Sequence, residues 1–160
     1  RGQPAIIKGV NNDVDTLVDL QQKYVDNGII SYYLTVFMPV RGVEQYALPL
    51  DEAFRNVADS KRRLNGLEKK GVLLASHNIG KLEICGFLPS PEDPSKIVLK
   101  WHQAAMEKYL PQELKEMVST RPDDIMLLDF VPGKMYCIDH VFEANNLPYF
   151  DPDGKLVLSK

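Results

Sequence analysis

Residues 29–38, IISYYLTVFM, constrain the fold more than any other stretch of this chain. The run is aromatic and β-branched and has no polar alternation, so it predicts a strand covered on both faces, as in a parallel sheet. Amphipathic helical patterns stand on either side of it. In NNDVDTLVDLQQKYVDNG, the residues Val14, Leu17, Val18, Gln21, Tyr24 and Val25 recur at helical spacing. Asn12 or Asp13 can cap that helix and Gly28 can end it. PLDEAFRNVADSKRRLNGLEKKG predicts a second helix, with Ala53, Phe54, Val57, Leu64 and Leu67 on or near its apolar face. AIIKGV before the first helix and VLLASH after the second complete the pattern, so residues 5 to 76 read β-α-β-α-β.

Such units place helices outside a parallel sheet and ligands at the carboxyl ends of the strands. GVNND, MPVRGVE and SHNIGK are those three ends here. In a (βα) barrel they would lie on the rim where chemistry occurs. Three units cannot close a barrel, so the expectation is an open sheet or a set of further strands upstream. After residue 86 the pattern changes. FLPSPEDPSK is a proline-rich boundary loop. KIVLKWH, IMLLDFV, MYCIDHVF and KLVLS suggest short strands, PQELKEMVST a short helix, and Pro152-Asp153-Gly154 the turn of a closing hairpin. The fold class expected is therefore α/β, a partial (βα) barrel in residues 1–86 with an irregular, strand-rich extension in residues 87–160 packed on it.

Composition narrows the function. With 160 residues, 44% hydrophobic and 26% charged, the chain has the make-up of a globular domain. A net charge of −3 and a pI near 5.6 argue against nucleic acid as a partner. No apolar stretch approaches the roughly 20 residues of a membrane span. RGQPAIIKGV lacks the pattern of a signal peptide and begins without Met, which suggests a piece of something longer. Cys85 and Cys137 both sit in apolar runs, so they read as small buried hydrophobes in a reducing cytoplasm.

No glycine-rich phosphate loop occurs. Lys81, in HNIGK, is the nearest substitute, since a lysine at a strand end can form a Schiff base with a carbonyl cofactor. Cys137-Ile-Asp-His140 has the spacing of half a zinc site, but no second close pair exists, so no metal is expected. DPDGK is too short of ligands for a calcium loop. Arg41 can grip a carboxylate or phosphate and Glu44 can orient it; the alternative is an ion pair that only stiffens the loop. Tyr32 and Tyr33 offer flat faces for stacking.

GVNND, a helix, YYLTVFMPVRGVEQY and then P-L-x-E-A resemble, in order and spacing, the C-terminal half of the lysine 2,3-aminomutase-like branch of the radical S-adenosylmethionine enzymes. The resemblance covers roughly residues 4 to 86. It implies an isomerase that cleaves S-adenosylmethionine at a 4Fe–4S cluster, abstracts hydrogen from a small amino acid, and moves its amino group to the neighbouring carbon. Pyridoxal phosphate is implied as a carrier, although the residues leave its use open. The resemblance places Tyr32 between the two cofactors, Arg41, Gly42 and Glu44 in the turn after a barrel strand, and Lys81 near the lysine that holds pyridoxal phosphate.

This sequence also departs from the family. CxxxCxxC is absent, so the chain alone would bind no cofactor and start no radical reaction. Two aspartates that read the lysine side chain fall on Met38 and on about Ala75 or Ser76. The expected substrate is thus an amino acid other than lysine. The partner expected is the cluster-binding N-terminal part of the same, homo-oligomeric protein, with an orphaned strand edge near residues 5 to 10. The rival reading is a non-catalytic interaction or oligomerisation module, with Trp101, Tyr109 and Phe130 as docking aromatics.

Overall fold

The structure, a computed structural model, describes residues 1–104, 112, 114, 115 and 125–158, with the backbone alone described for residues 103 and 104. Its centre is a six-stranded sheet in simple sequential order, β1 (Ala5–Ile6), β2 (Tyr33–Val36), β3 (Val72–His77), β4 (Gly80–Pro89), β5 (Pro94–Ala104) and β6 (Ile125–Asp129). β1, β2 and β3 run parallel, joined through α1 (Val14–Asp26) and α2 (Leu50–Arg62). From β3 onward each strand is antiparallel to the last. α3 (Ile138–Ala144) follows β6, and β7 (Tyr149–Phe150) with β8 (Leu156–Val157) forms a separate hairpin. The architecture is a mixed α/β open sheet, and no barrel closes among the described residues.

The β-α-β-α-β reading holds. Asp13 caps α1 by accepting the Thr16 amide at 2.8 Å, and the α1 residues Leu17, Val18 and Gln21 are buried. The strand expected from IISYYLTVFM is shorter than the apolar run; Leu34 and Val36 are buried under the helices, and Tyr33, on the face that no described helix covers, is buried by neighbouring side chains. α2 stops at Arg62, well before Gly71, so Leu67 lies outside the helix and is exposed.

Two expectations need correction. MYCIDHVF is a helix and not a strand: Ile138, Val141 and Phe142 bury one side of α3 at spacings of three and four. SHNIGK is not an open strand end with Lys81 in a loop. His77 pairs directly with Gly80 in a tight hairpin, and the chain turns back as the ten-residue β4. Leu82, Ile84 and Phe87 carry the buried face of that strand, with a bulge between Ile84 and Gly86 that keeps Phe87 facing inward. Residue 86 lies within β4, so one sheet runs through both halves of the chain. The helix expected over residues 111–120 and Tyr109 lie almost wholly outside the described residues.

Helices α1, α2 and α3 cover the same side. Ile6, Leu34, Val36, Leu73, Ala75, Leu82, Ile84, Leu99 and Trp101 join Leu17, Ala53, Val57, Ile138, Val141 and Phe142 in one apolar cluster. Strand alternation sends Tyr33, Thr35, Leu74, Ser76, Lys81 and Glu83 to the other face. That face is mixed and mainly polar. In a (βα) barrel the side away from the helices is the interior.

Candidate functional site

At the carboxyl ends of the parallel strands the backbone is held by short polar side chains. Asn11 accepts the Ile7 amide at 2.7 Å and donates to the Ala5 carbonyl at 2.8 Å, while Asn12 accepts the Gly9 amide at 2.7 Å. With Asp13 capping α1, GVNND is a self-bonded turn. Asn56 of α2 reaches back to the Asn12 carbonyl at 2.8 Å and ties the two helices at this end.

Arg41 and Glu44 lie beyond the carboxyl end of β2. Glu44 accepts the Gly42 amide at 2.8 Å, and this backbone bonding, with a smaller contribution from Arg41, holds its carboxyl below the usual carboxylate range. Gly42 sits at φ 92, a conformation that favours glycine. Arg41 pairs with Asp153 in the β7–β8 turn at 3.1 Å, with side chains 81% and 66% exposed. Glu44 therefore shapes its own turn, and its expected part in orienting Arg41 falls to Asp153. A shallow cleft of about 10 Å³, room for about one water, opens between the ends of β2 and β3 and the start of α3. Val36, Phe37, Met38, Ala75 and Ile138 supply its apolar lining, with Ser76, Tyr136 and Asp139 as polar groups.

Tyr32 and Lys81 belong to a different place. Tyr32 precedes the first residue of β2, so the whole strand separates it from Arg41. Its ring stacks on Tyr33 with centroids 4.0 Å apart, and the Arg1 guanidinium lies 4.9 Å from its centre. Lys81, on β4, holds its ammonium 4.7 Å from the centre of the Tyr33 ring. The four residues singled out from sequence thus divide into two groups: Tyr32 and Lys81, each against the Tyr33 ring, and Arg41 with Glu44 at the rim.

Two further groupings join residues far apart in sequence. Tyr33 and His102 share a hydrogen bond of 2.9 Å between Oη and Nε2, and Glu83 Oε2 lies 3.9 Å from His102 Nδ1. Burial pushes the Tyr33 hydroxyl up to about 12, so the phenol keeps its proton. On the helix side, His77 Nε2 meets Asp139 at 2.7 Å, between the rings of Phe142 and Phe150. Neither pair lies within one sequence motif, and only the register of β2 through β5 brings Tyr33 and His102 together.

Cysteine chemistry fits an iron–sulfur centre poorly. Cys85 is exposed in the β4 bulge, not buried as expected, and Cys137 precedes α3. Burial raises both thiols, that of Cys137 to about 11, which disfavours the thiolates a cluster requires. Among the described residues no group of three or more His, Cys, Asp or Glu side chains could hold a metal ion. His140 accepts the Tyr136 amide at 3.1 Å, a structural role. A phosphate cradle is equally incomplete at Lys81: the hairpin amide of Ile79 is already taken by His77 Nδ1 at 3.3 Å. Among the described residues no helix is long and apolar enough to cross a membrane.

A parallel β-α-β-α-β segment, with helices on one side and a polar sheet face on the other, defines an α/β protein of open-sheet type. A curated protein from Aquifex aeolicus (strain VF5), "Putative L-lysine 2,3-aminomutase", is 30% identical over 103 residues, 64% of this chain and 26% of that protein. The chain is thus a distant homologue of an aminomutase-like protein, and the match spans about a quarter of that relative's length. No family model matches the chain. No solved structure matches it.

Proposed function

We propose that the chain is the C-terminal part of a radical S-adenosylmethionine enzyme related to the aminomutases, and that it supplies the last parallel strands of an incomplete barrel. The observation that carries this reading is the one-sided sheet: three parallel strands with helices α1, α2 and α3 on one face and Tyr33, Ser76, Lys81 and Glu83 on the other. The partial match to the Aquifex protein supports it. In this reading the upstream part of the protein brings the 4Fe–4S cluster and S-adenosylmethionine, and this chain alone is inactive. Its own residues form one inner wall and a rim, where they orient an amino acid and exclude water.

The substrate proposed is an amino acid other than lysine. Met38 and Ala75 line the cleft at the strand ends, and neither can pair with a side-chain ammonium. Asp139, the one carboxylate among the lining residues, already accepts from His77 at 2.7 Å and from the Phe150 amide at 2.7 Å.

The test is anaerobic reconstitution of the protein encoded by the complete parent gene. The expected result is cleavage of S-adenosylmethionine to 5′-deoxyadenosine, together with 1,2-amino migration on an uncharged amino acid and none on lysine. A complete protein with no CxxxCxxC and no cleavage contradicts the reading.

A second reading, an interaction or oligomerisation module, draws on β6. Ile125 and Leu127 are 67% and 53% exposed on a strand that pairs only with β5 among the described residues. The aromatics expected to dock a partner do not support it: Trp101 and Phe130 are buried in the core.

A further inference from the structure

β6 is the last strand of the sheet, and its ladder with β5 fixes which way each backbone group points. Phe130 donates its amide to the Ser95 carbonyl at 2.9 Å, and the register sets Leu128 opposite Ile97 and Met126 opposite Leu99. In an antiparallel pair these alternate residues carry the bonds to the neighbour. The N–H and C=O groups of Ile125, Leu127 and Asp129 therefore point outward. At Asp129 they are already taken. The side chain of Asn145, just past α3, accepts the Asp129 amide at 2.7 Å and donates to its carbonyl at 2.9 Å, as a further strand would. At Ile125 and Leu127 the outward groups meet no partner among the described residues. Met126 and Leu128 pack against the core, so Ile125 and Leu127 lie on the face away from the helices, 67% and 53% exposed. Native edges are kept from pairing by charge, proline or a bulge. From Ile125 to Leu128 this edge has none of them, and the charge of Asp129 is met by Lys96.

We propose that β6 is a self-association edge, where a second copy of this chain adds its own β6 antiparallel and continues the sheet across a two-fold axis at Met126. In that register Ile125 faces Leu127 of the second copy, and Leu127 faces its Ile125. Both pairs join outward-pointing residues, and each exchanges both backbone bonds. Every open group of Ile125 and Leu127 on the two edges is then satisfied within β6, while both Asn145 side chains stay in place. An axis at Leu127 instead sets Ile125 against Asp129 and displaces Asn145. The stretch matches itself, which is what an isologous contact requires and what singles out a second copy among strands that pair with an edge. On the face away from the helices, Ile125, Leu127 and half-buried Val98 of the two copies form one apolar stripe. The seam is short, which places it among the weak, transient interfaces. β1, the edge that continues a barrel in the proposed function, is the opposite edge of the sheet, so the two inferences stand or fall separately.

The experiment is sedimentation velocity of the 160-residue chain from about 0.01 to 1 mM, repeated with Leu127→Pro and Leu127→Lys. Proline at position 127 removes an outward donor and no bond to β5, and lysine sets like charges beside each other at the seam. Expected is a concentration-dependent dimer, with association weaker by about tenfold or more in both variants. Disulfide trapping in a Cys85→Ser background reads the register without relying on those variants. Met126 meets its own copy on the axis as a non-hydrogen-bonded pair, with Cα atoms about 4.5 Å apart, so Met126→Cys is expected to link two chains on oxidation. Leu127→Cys does not face itself and should link about tenfold more slowly or less. A chain that stays monomeric over the whole range overturns the proposal. So does a dimer unchanged in both Leu127 variants, or one that Leu127→Cys links faster than Met126→Cys.

Discussion

His77, the last residue of β3, and Asp139, in the first turn of α3, meet at 2.7 Å although 62 positions separate them. The same carboxylate accepts the Phe150 amide at 2.7 Å, so one side chain fastens both α3 and the β7–β8 hairpin to the end of the parallel sheet. The His77 side chain is 2% exposed, so the pair is shielded from water. Removing Asp139 leaves a buried imidazole and an amide without their partner. Asp139→Ala is expected to cost about 1–3 kcal/mol in urea unfolding and to speed proteolysis after residue 137. Unchanged stability and unchanged cleavage would remove this fastening from the account.

Asp51 and Arg41 should behave as opposites. The Asp51 side chain is 3% exposed; it binds Arg55 at 3.0 Å and accepts the Gly133 amide at 3.2 Å. The Arg41–Asp153 pair stands in solvent. Asp51→Ala is expected to lose about 2–4 kcal/mol, discounted for the partly exposed Arg55, and Arg41→Ala less than about 1 kcal/mol. Equal effects in chemical denaturation would contradict this ordering.

The cysteines give a pH prediction. Burial raises the Cys137 thiol to about 11, so the folded chain holds that proton more tightly than the unfolded chain. The stability this contributes is complete below the ordinary thiol range and is lost as pH rises from there toward about 11. Cys85 is exposed and should react with a maleimide at neutral pH well before Cys137. Mass spectrometry of the singly labelled chain checks the order, and preferential labelling of Cys137 would refute it.

Local signals explain which parts of this fold could be read in advance. Helical spacing in residues 14–25, the Asp13 cap and the unbroken apolarity of Tyr33 to Val36 are properties of adjacent residues, and the structure keeps them. β4 was missed because its alternation is interrupted by the bulge at Cys85, and because SHNIGK reads equally as a loop and as a hairpin. MYCIDHVF fits a strand as well as a helix, because a mixed stretch of eight residues is too short to fix the period. Tyr32 and Lys81 were legible as single residues. Their connection through Tyr33 was not, because it depends on β4 folding back against β3, and Tyr33–His102 depends on one strand more. Arg41 met Asp153 because the C-terminal hairpin folds over the rim, a contact that no local pattern encodes.

The central claim is that the uncovered sheet face is one wall of a barrel continued by strands before β1. β1 pairs only with β2 among the described residues, which leaves its outer edge open to a further strand. Amide hydrogen exchange at residues 5–6, compared between the 160-residue chain and the protein encoded by the complete parent gene, tests this directly. The account predicts rapid exchange of the outward-facing amide in the chain and strong protection in the complete protein. Equal protection in both, with the 160-residue chain monomeric, would contradict it.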